Sequence, residues 1–103
     1  MKNNEYDGRG ILYRYYYSNN DEDKNIEYNG YFKKGKYEGF GKKYEGWYEH
    51  NLIYIGFFIN NEYNGKGTLY SEDGNKKYEG YFKNGKYNGI GIEYYKNALK
   101  EEK

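Results

Sequence analysis

The sequence predicts an all-β protein, a stack of about four and a half β-hairpin repeats. Three observations carry that expectation. First, the chain repeats itself: YNGYFKKGKYEGFGKK at Tyr28–Lys43, YIGFFINNEYNGKGTL at Tyr54–Leu69 and YEGYFKNGKYNGIGIE at Tyr78–Glu93 share one pattern. It reads Tyr-x-Gly-aromatic-aromatic, then four residues around a turn, then Tyr-x-Gly-x-Gly. Self-similarity at a fixed period is the signature of a repeat architecture. Second, the centre of each copy is a two-residue hairpin signal. Asn84-Gly85 suits a type I′ turn, which needs positive φ at both positions, and Lys34-Gly35 and Asn60-Asn61 hold the same place. Third, only aromatics are available to build a core. Val is absent and Ala98 is the lone alanine, against 18 Tyr, 5 Phe and 1 Trp. Each ring buries roughly 150–250 Å², which argues for folding despite 32% charged residues.

Taken in order, the chain opens on a half copy, YDGRGIL from Tyr6, whose remaining strand over Tyr6–Tyr17 is predicted to be an unpaired edge. The polar stretch 17–25 (YSNNDEDKN) reads as a mobile loop inserted before the first full repeat. A shortened copy, YEGWYEHNLI, spans Tyr44–Ile53. There a two-residue turn would flip Tyr54, Gly56 and Phe58 to the wrong face, since a one-residue slip reverses every side chain. A three-residue loop, His50-Asn51-Leu52, or a bulge is therefore expected. The β-domain runs over 1–95, and the tail 96–103 (KNALKEEK) is a charged segment too short for an isolated helix.

Within the Tyr78 copy, a two-residue turn predicts Phe82 opposite Tyr87, Gly80 opposite Gly89 and Tyr78 opposite Gly91. Period-2 alternation would put all six on one face. Glycine weakens a strand and marks places where something approaches the backbone closely, so rings are expected to lie over these gaps.

These residues resemble the MORN (membrane occupation and recognition nexus) repeat, over most of the chain from Tyr6 to Tyr95. The Tyr78–Gly91 match is nearly complete, whereas Asn61 and Asn51 replace the turn glycine in the copies at Tyr54 and Tyr44. The resemblance implies an elongated, twisted, single-layer antiparallel sheet with a groove along one face. It also implies an interaction module that binds partner proteins, self-associates or contacts phosphoinositides. One departure stands out: where many members place an acid before the large aromatic, this chain has Tyr31, Trp47, Phe57 and Tyr81. Alternation puts these on the face opposite the glycines, together with Phe40, Ile90 and Ile92.

The function classes narrow accordingly. A net charge of +1, from 17 basic and 16 acidic residues, lacks the basic excess of nucleic-acid binders. There is no Cys, hence no disulfide or thiolate metal site, and no cofactor or metal is expected. No apolar run reaches the roughly 18–20 residues of a membrane span, and Met1–Glu5 does not look like a secretory leader. A cytoplasmic protein is expected, with membrane or cytoskeletal association as a variant of that expectation. For catalysis, His50 is the single histidine and Ser18, Ser71 and Thr68 the aliphatic hydroxyls, none in a nucleophile motif. Asp21-Glu22-Asp23 lacks calcium-loop spacing, and Gly8-Arg9-Gly10 lacks the context of a phosphate loop. An enzyme is not expected.

The candidate function is protein binding through an aromatic, glycine-lined face. Its candidate residues are Tyr31, Trp47, Phe57 and Tyr81 on one side, and Tyr28, Tyr54, Tyr78, Phe58, Phe82, Tyr63 and Tyr87 on the other. Large exposed apolar patches mark interaction sites, and Tyr and Trp are enriched at binding hot spots. The alternative is anionic lipid binding by turn-tip lysines, Lys33, Lys34, Lys36, Lys83 and Lys86, at about 1 kcal/mol per residue near a charged surface. Glu49 and Glu62 interrupt that rim. Self-association through the N-terminal edge strand is a third expectation.

Overall fold

The computed structural model describes residues 5–18, 21–46 and 51–95. Seven strands, β1 (Gly8–Ser18), β2 (Asp21–Lys33), β3 (Lys36–Glu45), β4 (Asn51–Ile59), β5 (Glu62–Tyr70), β6 (Lys76–Lys83) and β7 (Lys86–Glu93), follow one another in chain order. They form one antiparallel sheet in the order β1-β2-β3-β4-β5-β6-β7. The extents, 60 × 42 × 16 Å, are those of a single layer. The radius of gyration is 16.2 Å, against about 13 Å for a compact domain of this length.

Chemistry at three places fixes this arrangement. Lys34-Gly35, Asn60-Asn61 and Asn84-Gly85 all have positive φ (52° and 79°, 51° and 71°, 52° and 82°), the type I′ geometry whose twist matches the flanking strands. Lys33 then pairs with Lys36, Ile59 with Glu62 and Lys83 with Lys86. Successive hairpins are also tied turn to strand. The N–H groups of Gly35, Asn61 and Gly85 donate to the carbonyls of Tyr6, Tyr37 and Tyr63 at 3.0, 3.1 and 2.9 Å.

Beyond the turn the register departs from the expected one. Phe82 does face Tyr87, but Gly80 faces Gly91 and Tyr78 faces Glu93. Gly89 is at φ 82° and is absorbed in a bulge on the closing strand, as are Gly39 and Gly65 at φ 90° and 93°. A Cβ at Gly39 or Gly65 would lie against Tyr31 or Phe57, so these glycines turn away from the ring layer. A second irregularity falls just before each opening tyrosine. Glu27, Ile53 and Lys77 are skipped in the pairings of β1–β2, β3–β4 and β5–β6. The bulge at Ile53 restores the face of Tyr54. The three-residue loop does not form, because Asn51 and Leu52 pair with Glu45 and Tyr44.

The described ends of the shortened copy belong to β3 and β4, which pair as far as Glu45 and Asn51; the three full repeats form the hairpins β2–β3, β4–β5 and β6–β7, preceded by β1. Trp47, Glu49 and His50 lie outside the described residues, as does the tail 96–103. Of the loop expected over 17–25, the described residues 17–18 and 21–25 are strand instead, with Tyr15, Tyr16 and Tyr17 pairing with Lys24, Asp23 and Glu22; residues 19–20 lie outside the described ones. Cross-strand partners outweigh the polar character of 21–25: Lys24 Nζ sits 4.3 Å over the Tyr13 ring.

The core is one layer of rings on one face. Tyr28, Tyr54 and Tyr78 each lie over a glycine pair, Gly30/Gly41, Gly56/Gly67 and Gly80/Gly91. At Gly41, Gly67 or Gly91 a Cβ would collide with the ring itself. Each hydroxyl donates to a carbonyl three residues on, of Tyr31, Phe57 and Tyr81, at 2.8, 3.0 and 3.0 Å, so the buried phenol is satisfied. Tyr37, Tyr63 and Tyr87 stack on these rings at 3.8, 3.9 and 3.8 Å. Phe32, Phe58 and Phe82 meet them edge-on, the arrangement ring quadrupoles prefer.

Candidate interaction surfaces

Among the described residues, the opposite face of the sheet has no such cover. Tyr31, Phe57 and Tyr81 are exposed on it, as are Phe40, Ile90 and Ile92. Their spacing follows from the repeat: the residue between the two closing-strand glycines faces the exposed aromatic of the next hairpin. Arg9 pairs with Tyr31, Phe40 with Phe57 and Lys66 with Tyr81. The Arg9 guanidinium is 5.7 Å from the Tyr31 ring, and Phe40 meets Phe57 edge-on at 5.5 Å. The row is an amphipathic stripe of rings and cations, suited to burying a partner's apolar side chains while pairing its carboxylates.

The candidate residues divide accordingly. Tyr28, Tyr54, Tyr78, Phe58 and Phe82 are buried and consumed by the fold. Tyr63 is half-buried beneath them and Tyr87 partly exposed at the last strand. Burial pushes the Tyr28 hydroxyl up to about 12, and it pushes Tyr54 higher. Tyr37 is raised by burial and by its 2.9 Å hydrogen bond to Glu27. Tyr63 is raised by burial and then by the Glu45 carboxylate.

An open groove of about 1,020 Å³ lies at the strand ends opposite the type I′ turns, beside the Ser71–Asn75 turn, between Glu45, Ile53, Leu69, Tyr70, Lys77 and Tyr95. The sequence reading did not single it out. The corresponding place beside the first hairpin is closed. There Arg14 Nη1 donates to Gly46 O at 3.2 Å, Arg14 Nη2 lies 3.7 Å from Glu27, and buried Asn25 donates to Gly46 O at 3.4 Å.

The turn lysines line one rim, because the turn-to-strand hydrogen bonds set the tips in series. Lys33, Lys34 and Lys36 occupy the first tip and Lys83 and Lys86 the third, while the middle tip carries Ile59, Asn60, Asn61 and Glu62. Two carboxylates are held in structural hydrogen bonds. Glu38 accepts the Asn60 N–H at 3.2 Å, and Glu79 accepts from Lys76 at 3.2 Å and Tyr94 at 3.0 Å. Ser71 bonds Asp73 and Asn75 within its own turn.

The sequence model of the MORN repeat family matches residues 28–46, 54–76 and 78–98, the segments that form the three complete hairpins. Comparison with curated proteins and with solved structures returns no match.

Proposed function

The chain belongs to the MORN repeat family, and from that premise we propose that it is a non-catalytic module that binds another protein through the stripe of Tyr31, Phe40, Phe57 and Tyr81. Repeats of this family are associated with protein or membrane interaction. The observation carrying the reading is the division of rings between faces. Glycine-backed rings are sealed, whereas this stripe remains open to solvent with cations interleaved. Rigid aromatics give large contact area at small entropic cost, and an apolar row of this kind marks an interface.

The test is a quantitative capture from lysate of the source cells. Wild type is compared with Tyr31→Ser/Phe57→Ser/Tyr81→Ser, first shown by circular dichroism and thermal melting to be folded. A protein enriched by wild type and lost by the variant supports the reading; equal enrichment overturns the placement on this face. The lipid alternative draws support from the alignment of the turn tips and is opposed by the uncharged and acidic middle tip. Vesicles containing anionic phospholipid, read against Lys33→Ala/Lys34→Ala/Lys83→Ala/Lys86→Ala, separate the two.

A further inference from the structure

Each junction between hairpins uses the same contacts, and β7 presents the receiving half of all of them. In the junctions β3–β4 and β5–β6, an incoming strand brings Phe58 or Phe82 opposite Gly39 or Gly65. It brings Gly56 or Gly80 opposite Gly41 or Gly67, and Tyr54 or Tyr78 opposite Lys43 or Leu69. The incoming phenylalanine packs edge-on against two tyrosines of the preceding hairpin. Phe58 lies 5.3 and 5.5 Å from Tyr28 and Tyr37, and Phe82 5.3 and 5.4 Å from Tyr54 and Tyr63. On the other face the incoming Phe57 or Tyr81 meets Phe40 or Lys66. The incoming turn donates an N–H to the carbonyl of Tyr37 or Tyr63, and Glu38 accepts a second turn N–H.

On β7 the matching positions are Tyr87, Asn88, Gly89, Ile90, Gly91 and Glu93, and among the described residues β7 is the last strand of the sheet. The consequence is visible in exposure. Tyr37, covered by the next hairpin, is 8% exposed and Tyr87 40%, and Ile90 reaches 84%. Gly41 and Gly67 are buried, whereas Gly91 is exposed.

We propose that the β7 edge is a docking site for an opening strand from another protein, an extended segment of the form Tyr-x-Gly-aromatic-Phe running antiparallel to β7. Its tyrosine would face Glu93, its glycine Gly91 and its phenylalanine Gly89, with the phenylalanine ring edge-on to Tyr78 and Tyr87. Main-chain bonds to an exposed edge supply affinity, and alternate side chains supply specificity. A second copy of this chain does not fit, because its opening strands β2, β4 and β6 are already paired on both edges. The docked segment therefore continues the repeat array from one protein into another. This edge is separate from the Tyr31/Phe57 stripe.

The probe is a synthetic peptide of residues 54–70, one hairpin of the required pattern, supplied linear and backbone-cyclised. The cyclised form keeps poor folding of a free hairpin from being mistaken for failure of the edge. Binding to the isotopically labelled full chain is followed by amide chemical shifts. The expected result is saturable binding with shifts centred on Tyr87, Gly89, Gly91 and Glu93. Affinity should fall at least about ten-fold, roughly 1.4 kcal/mol, with Ile90→Asp in the chain or Phe58→Ala in the peptide. It should be unchanged by Tyr31→Ser/Phe57→Ser in the chain, which separates this site from the stripe. No saturable binding of the cyclised peptide overturns the proposal, as do shifts centred on β1 or indifference to Phe58. β7-edge amides already protected from exchange in the free chain overturn it too, a dimer by sedimentation assigning the edge to a second copy and a monomer to the chain's own residues.

Discussion

On the inner face of the sheet, Tyr54 and Phe58 are sealed against the backbone of Gly56 and Gly67, whereas on the outer face Phe57 stands half in solvent beside Phe40. Both faces carry rings at regular spacing, but only on the inner face does a glycine pair lie beneath the ring itself; Gly39 and Gly65 meet Tyr31 and Phe57 only at the root of the side chain. A single-layer sheet has no second layer to cover a face. The inner rings solve this by lying down on bare backbone, stacking in pairs within each hairpin and meeting edge-on across hairpins. The outer rings have a Cβ-bearing or cationic neighbour in place of that cavity, so they stand up and stay exposed. The lesson is that glycine placement, more than ring placement, decides which face is the core and which is left for a partner.

A large effect is expected from filling the glycine gap. Gly67→Ala puts a methyl into the Tyr54 ring, and overpacking of this kind costs about 1–3 kcal/mol, occasionally more. The flattened Tyr54 must also give up its bond to Phe57 O, so loss of the cooperative melt is expected in circular dichroism. A near-wild-type melt would show that the inner ring does not depend on bare backbone.

Next comes alkaline pH. The Tyr28 hydroxyl is raised by burial from about 10 to about 12, so its contribution is complete below pH 10, the value in the unfolded chain. It is lost as pH climbs through 12, on the order of 2 kcal/mol. Tyr37 and Tyr54 shift in the same direction. Tyrosinate absorbance from these inner rings should therefore appear well above pH 10, together with unfolding. Its appearance near pH 10 would contradict the burial of the inner face.

A smaller effect is expected at the closed polar cluster beside the first hairpin. Arg14→Met removes the bond to Gly46 O and the contact with Glu27, and should lower stability by about 1 kcal/mol. Urea unfolding measures it. Smallest of all, Tyr81→Ser on the outer face should stay within about 0.5–1 kcal/mol.

Much of this was legible in the sequence because it depends on local chemistry. Asn84-Gly85 and its two counterparts set the hairpins, and alternation from Tyr78 to Phe82 assigned rings to faces. The register was legible only as far as Tyr87. Alternation alone places Gly89 in the ring layer, and the positive φ that makes it a bulge follows from pairing with a whole neighbouring strand. The strand over 21–25 was hidden by its polar residues. Its signal was the run Ile11–Tyr17, a long β-forming stretch that requires a partner of equal length. The groove by Glu45 and Lys77 arises from residues of β3, β4, β5 and β6 meeting at one end, which no local pattern encodes.

The most direct test compares two adjacent residues with one substitution. Phe58 is 1% exposed and Phe57 46%, so Phe58→Ala and Phe57→Ala differ in face alone. In urea unfolding of the full chain, Phe58→Ala should cost about 3–5 kcal/mol, as for other buried rings. Phe57→Ala should cost about 1 kcal/mol, the worth of its edge-on contact with Phe40. Equal losses at the two positions would mean that both faces hold the fold together, contradicting the assignment of the outer rings to a partner.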